Sequence, residues 1–177
     1  MNTGDNEKLE KMVRTYFSGN CNFDCDSLCN VSIGNFTKMF EIMDELQPDR
    51  IACVHTTKVE GNTISATLYK KYTSYRCIHD AVARQHGQSE FDAFIRMDHA
   101  DGLLKKIDTS GQEVEERDRM RALVQSGADL LVHLRLAVQL TVDDRTHKVS
   151  AIKVRSTLTS LQAAAPLSIT VLEETTQ

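Results

Sequence analysis

Three cysteines at a regular spacing are the first feature of this sequence that could do chemistry. Cys21, Cys25 and Cys29 are four residues apart, so on a helix they would form one stripe of thiols. Three thiolates could bind zinc if a histidine such as His55 or His79 supplied the fourth ligand. Structural zinc sites usually use two cysteine pairs, however, and no second pair is present. The sequence therefore favours small, buried, hydrophobic thiols over a metal site, and we predict no cofactor.

Histidines and basic residues on predicted strands are further candidates. His55 could take part in proton transfer if an acid lay within hydrogen-bond reach. His133 lies on its strand opposite the apolar side chains, which favours a solvated or interfacial position. Lys153 and Arg155 share one strand face and could receive an anion, although such residues more often form the solvated side of a half-buried strand.

The composition restricts the classes of protein to which the chain can belong. Its 177 residues, 41% hydrophobic and 26% charged, fit one soluble domain with a real core. The formal net charge of −4 argues against bulk affinity for nucleic acid, which needs concentrated lysine and arginine. No apolar run approaches the roughly 20 residues that span a bilayer, and residues 1–10 lack the apolar stretch of a signal peptide. We therefore expect an intracellular protein, cytoplasmic or nuclear, with reduced cysteines and neither membrane nor direct nucleic-acid binding.

Two helices are predicted before the first strand. Apolar residues at helical spacing predict a short helix from about Glu7 to Phe17. The stretch Asn20–Ser32 has the composition of irregular structure. A second helix follows Asn35, a good N-cap, and ends at Gln47 because the residue before Pro48 is pushed out of the helical conformation.

A hairpin and a polar helical segment follow. β-branched and aromatic residues predict strands over Arg50–Val59 and Thr63–Ile78, with Gly61 and Asn62 as a two-residue turn. The segment 79–127 is polar and helical, and we interpret it as an insert. Two capping-box patterns fall in it, Ser89 with Asp92 and Ser110 with Glu113.

The clearest pattern is a second, longer hairpin. Apolar side chains occupy every even position of Leu130–Val142, which predicts a long strand with one buried face. Lys148–Leu161 alternates in the same way and is the returning strand. We therefore predict a single domain over residues 1–162, and residues 163–177 form a C-terminal tail or an edge strand.

The order of these elements predicts an α+β domain in which a curved antiparallel sheet wraps around the N-terminal helices. The sequence from Gly34 through Phe40, the end of that helix at Leu46-Gln47-Pro48-Asp49, and the final hairpin resemble the nuclear transport factor two-like superfamily, also called SnoaL-like or cystatin-like cone folds. The resemblance is one of pattern, without a diagnostic motif, and the insert replaces a tight turn or short strand. A weaker likeness is to sensor-like domains attached to basic-leucine-zipper transcription factors, although no basic region or zipper is present.

The resemblance implies where a site would lie. Cofactor-free members place a phenol and a carboxylate in the region of Tyr16, Asp24 and Asp26, where the acid can serve as general base and the phenol can stabilise an enolate oxygen. The same residues also fit a core aromatic and two turn-forming aspartates, and this structural interpretation is favoured. The pocket enclosed by such a fold would be lined by Phe36, Phe40, Met43, Leu134, Leu136 and Val138.

Two functions stay open at this point, because this fold hosts both enzymes and catalytically silent domains. The first is a non-catalytic module, regulatory in role, that binds a small apolar molecule or forms a homodimer through its sheet. The second is a cofactor-independent isomerase, dehydratase or cyclase that acts on an apolar small molecule. The first is favoured because no convergent set of polar residues can be assembled from the sequence.

Overall fold

The computed structural model describes residues 3–26, 32–87 and 100–165. The helices are α1 (Thr3–Tyr16), α2 (Phe36–Leu46, preceded by the 3-10 turn Ile33–Asn35), α3 (Arg76–His86), α4 (Ala100–Asp108) and α5 (Val114–Ser126). The strands are β1 (Phe17–Cys25), β2 (Ile51–Glu60), β3 (Thr63–Ser74), β4 (Leu130–Val142) and β5 (Val149–Ala163). No helix among these ranges is both long enough and apolar enough to cross a membrane.

The five strands form one sheet in the order β1-β5-β4-β3-β2. Both predicted hairpins are present, and β3 and β4 pair antiparallel over twelve consecutive residue pairs. The predicted α+β class is confirmed. The sheet is mixed rather than wholly antiparallel, because β1 runs parallel to β5.

Strand β1 corrects the expectation that the chain is irregular from residue 20 onward. Cys21 and Phe23 pack with Val149 and Ile152 of β5 in one apolar cluster, while the polar residues between them face the other way. This tertiary packing selects a strand although Asn and Asp disfavour one. It also places Cys21 and Cys25 on a strand, where four residues span about 13 Å rather than one helical turn.

Two element boundaries also differ from those predicted. Strand β3 ends at Ser74, and helix α3 takes the residues up to Ile78 that were expected to continue the strand. The predicted capping box at Ser110 is wrong, because α5 begins at Val114 and the Ser110 hydroxyl instead donates to the Ile107 carbonyl oxygen at 2.8 Å. The other capping box, Ser89 with Asp92, lies outside the described residues.

The two faces of the sheet differ in what covers them. The inner face carries the apolar side chains of β4, and α4 and α5 pack onto its Leu130–Leu134 end. Helices α1, α2 and α3 form a separate cluster around Ile42 and Leu46, joined to the sheet through Phe23 of β1. The outer face carries the alternate side chains of all five strands, including Tyr69 and Arg135.

Side chains of the segment between β3 and β4 hydrogen-bond with the part of the β5 edge that β1 does not pair. Strand β1 ends at Cys25, opposite Val154, so among the described residues the following half of β5 has no strand neighbour on that side. Three side chains from the segment donate to backbone carbonyl oxygens there: Lys106 to Ser156, Gln112 to Thr159, and Arg119 to Leu161. These hydrogen bonds occupy backbone acceptors along this edge of β5.

Candidate functional site

The middle of the inner face is apolar and yet remains partly open to solvent. We call this area the inner surface, and it consists of Ala66, Leu68, Leu136, Val138 and Val154. Within the described part of the chain, Ala66, Leu68 and Val138 belong to none of the three apolar clusters. Its apolar side chains therefore keep contact with water, which is unfavourable unless another apolar group covers them.

The six residues predicted to line a pocket fall into two groups by burial: Phe36 and Leu134 are buried, and the other four are half-buried. Leu134 is 1% exposed and packs in the cluster under α4 and α5, and Phe36 is enclosed by the rings of Phe17, Phe23 and Phe40. Leu136 and Val138 form part of the inner surface. Phe40 and Met43 on α2 are half-buried against the helical cluster.

A polar cluster borders the inner surface at Ser156, which lies directly across the ladder from Leu136. The carboxylate of Asp26 accepts hydrogen bonds from the Ser156 backbone N–H at 2.8 Å and from its hydroxyl at 2.9 Å. The Nζ of Lys106 lies 3.5 Å from Oδ2 of Asp26 and also donates to the Ser156 hydroxyl. Lys106 is 8% exposed and the side chain of Asp26 is 29% exposed, so the cluster pairs a buried lysine with a partly exposed carboxylate at a strand edge.

The other three predicted catalytic residues do not converge on that cluster. Tyr16, at the end of α1, is 60% exposed. Asp24 lies on the outer face, where its Oδ2 accepts a hydrogen bond from Arg155 at 2.5 Å. His55 stands at the register shift of the exposed strand β2, with its ring edge-on to Tyr69 at 5.4 Å between centroids.

The charge state of Asp24 reflects this outer position. Its hydrogen bond with Arg155 lowers the pKa of the carboxyl below the usual range, and the nearby charges of Arg155 and Lys153 act in the same direction. A carboxylate stabilised in its ionised form is a weaker base, so Asp24 is poorly suited to accept a proton.

Cys21 and Cys25 lie apart from any group of metal ligands among the described residues. Cys21 is buried, and burial raises the pKa of its thiol, which disfavours the thiolate that a metal needs. Cys25 is half-buried and Cys29 lies outside the described residues. In the described ranges, no three His, Cys, Asp or Glu side chains stand close enough together to hold a metal ion.

Two residues of the polar cluster were missed by sequence reasoning. Lys106 lies in the segment 79–127 that was interpreted as a polar helical insert, although its side chain is buried, and Ser156 was not considered. The pairing of Asp26 with Lys106 joins positions 80 residues apart, for which a single sequence carries no signal. The weaker hint was the adjacent pair Lys105 and Lys106, since only one of two consecutive lysines can point toward a sheet.

Comparison with known proteins yields likenesses of structure only. No protein-family model and no curated protein matches this chain. A protein from Jannaschia sp. CCS1, named as a SnoaL-like polyketide cyclase, is 10% identical, with 83% of this chain and 71% of that chain covered at a TM-score of 0.44. AclR from Streptomyces galilaeus, named as a hydroxylase, is 14% identical, with 84% and 64% covered at 0.42. The hexachlorocyclohexane dehydrochlorinase LinA-type3 from Novosphingobium barchaimii LL02 is 7% identical, with 93% and 82% covered at 0.41.

The first of these structures is named SnoaL-like, and this is also the superfamily that the order of elements in the sequence resembles. Because each of the three TM-scores is below 0.5 and no identity exceeds 14%, the likeness carries no argument about what this chain does. None of the three structures is named as a domain of a basic-leucine-zipper protein. The functional argument therefore depends on the residues of this chain alone.

Proposed function

We propose that this domain binds an apolar small molecule on the inner surface of its sheet and does so without catalysis. The observation that carries the proposal is the incomplete burial of Leu68, Leu136 and Val138 in the apolar middle of the inner face. An apolar ligand lying there would remove this surface from water, which contributes about 25 cal/mol per Å². The face is formed by regular strands, so the binding surface exists before the ligand arrives.

The polar cluster gives such a ligand an orientation. Ser156 and Lys106 border the inner surface beside Leu136, and a single polar group on the ligand could hydrogen-bond with them. Ligand sites of this kind combine a largely apolar lining with a few placed polar groups. The scatter of Tyr16, Asp24 and His55 over the exterior supports binding rather than chemistry.

The test uses Nile red, a neutral apolar dye whose fluorescence rises when it leaves water. We expect the unmodified chain to bind the dye and Val138→Gln to weaken the dissociation constant about tenfold, which corresponds to roughly 1.4 kcal/mol. The matched control is Gln139→Ala, because the adjacent residue on the same strand faces outward and should leave binding unchanged. Circular dichroism would establish that both variants are folded. Absence of dye binding, or equal effects of the two substitutions, would refute the proposal.

An enzymatic alternative is favoured by one observation, the position of Asp26 and Lys106 beside the inner surface. An acid and a base held close together could move a proton on a bound apolar molecule, as an isomerase, dehydratase or cyclase requires. Mass spectrometry of the small molecules that co-purify with the chain separates the two functions. A molecule unchanged by incubation with fresh protein supports binding alone, and its conversion to an isomer or a dehydrated product supports catalysis.

A further inference from the structure

The outer face of the sheet is basic, although the chain as a whole is acidic. The strands place five basic side chains on this face, namely Lys58, Lys71, Arg135, Lys153 and Arg155. They place only two acidic ones there, Asp24 and Glu60. The formal net charge of the chain is −4, so positive charge is concentrated on this one surface, which we call the basic face.

Three cations of the basic face are available to a partner. Arg155 is held by Asp24, and Lys58 lies 2.6 Å from the carboxylate of Glu60. In the described part of the chain, Lys71, Arg135 and Lys153 form no ion pair. Their charges are held at fixed spacings by the β3, β4 and β5 ladder.

A groove of about 480 Å³ crosses the basic face. Its floor is made by small side chains, among them Ala137 and Thr67, which are ladder partners on β4 and β3. Lys58, Lys153 and Arg155 contribute to its lining. The groove exists because these small residues lie beside rows of longer side chains. Hydroxyl and amide groups along it could hydrogen-bond with a polypeptide backbone.

We infer that the basic face docks an extended acidic segment of a partner protein. Charge complementarity selects the partner, because Lys153 in the groove and the unpaired Lys71 and Arg135 on the same face attract the carboxylates of an acidic segment. A second copy of this chain would bring two faces of like charge together. A nucleic acid fits this face less well, because such a long polyanion would also be repelled by the acidic remainder of the surface. A short acidic segment is affected only by charges within about 10 Å of the groove. The inference is independent of the proposed ligand, which lies on the opposite face.

The test is fluorescence anisotropy with a fluorescein-labelled peptide of alternating Glu and Ser. Binding is expected, and its affinity should fall as salt rises from about 50 to about 200 mM. Lys153→Glu should raise the dissociation constant roughly three- to tenfold, and Arg135→Glu should do the same. The matched control is Lys105→Glu, an exposed lysine on α4 that changes the net charge equally but lies away from the outer face. Its effect should be less than twofold.

Several results would overturn the inference. Failure of the acidic peptide to bind would do so, as would equal weakening by Lys105→Glu and Lys153→Glu, which would indicate a generic charge effect. Tighter binding of a labelled single-stranded oligonucleotide would assign the face to nucleic acid. Sedimentation as a dimer that Arg135→Glu dissociates would assign it to a second copy. Thermal melting of each variant establishes that the fold is intact, and the second variant covers any loss of structure in the first.

Discussion

Replacing Lys106 by methionine tests whether the buried ion pair holds the edge of β5. The substitution keeps the apolar stem and removes the charge that reaches Asp26 and the carbonyl oxygen of Ser156. Removing one partner of a fully buried pair costs about 3–5 kcal/mol. Here the Asp26 side chain is 29% exposed and keeps its hydrogen bonds from Ser156, so the loss is closer to that of one charged hydrogen bond. We expect Lys106→Met to lower the free energy of unfolding by about 2 kcal/mol.

Urea denaturation followed by circular dichroism measures this change. For a domain of this size, 2 kcal/mol corresponds to a fall in the urea midpoint of about 1 M. The control is Lys105→Met, because Lys105 is the preceding residue on the same helix and is exposed, so its substitution should change stability by less than about 0.5 kcal/mol. Coinciding midpoints for the two variants would show that Lys106 does not hold the strand.

A double-mutant cycle separates the ion pair from other effects of the substitution. If Lys106 acts through Asp26, then Asp26→Asn combined with Lys106→Met should cost less than the sum of the two single changes, by about 1 kcal/mol. Strict additivity would instead assign the effect to the hydrogen bond with the Ser156 carbonyl oxygen.

Two further predictions concern the core and the outer face. Met120 lies on the buried side of α5 and is 0% exposed, so Met120→Ala should lower the free energy of unfolding by about 2–5 kcal/mol in urea titrations. Met12→Ala, at a residue 41% exposed, should change it by less than about 0.5 kcal/mol, and similar losses for both would contradict the assigned core. Because Arg155 holds the pKa of Asp24 below its usual range, this carboxylate stabilises the fold above its unfolded-state pKa and loses that contribution as pH falls through its folded-state pKa. Asp24→Asn should therefore be less stable than the unmodified chain at pH 7, and the urea midpoints of the two should converge as the pH falls through the folded-state pKa of Asp24; a difference that persists in strong acid would contradict the role of the ion pair.

The parts of the fold that the sequence predicts are those in which local pattern and burial agree. Leu130–Val142 is a strand over the whole predicted range, because its strict alternation matches one buried and one open face. The first hairpin turns at Gly61, whose φ of +59° suits glycine. Strand β1 was missed because its two asparagines and Asp24 favour turns, and only packing against β5 makes it a strand.

The candidate site was less accessible to prediction. The alternation of side chains along β4 predicted that Val138 lies on the apolar face and His133 on the opposite face, and the structure has them there. It could not show that Leu134 is enclosed while Val138 stays open, because that depends on where α4 and α5 end on the sheet. The ion pair between Asp26 and Lys106 depends on a contact between distant segments, which residue spacing does not encode.

The two proposed binding surfaces lie back to back, and the ladder between them determines how far they can influence each other. Strands β3 and β4 pair without a register shift, so they form a stiff partition between the inner surface and the groove. Register shifts occur in the other three pairings: between β2 and β3 beside Val54, between β4 and β5 at His133 and Thr141, and between β1 and β5 after Phe17. A ligand on Val138 and an acidic segment over Ala137 therefore touch adjacent residues whose side chains never meet. Communication between them would need one of the flanking bulges to change its register, and the continuous pairing of β3 with β4 gives no reason for it to do so. We therefore expect the surfaces to bind independently, which is why substitutions at neighbouring positions of one strand can serve as controls for each other.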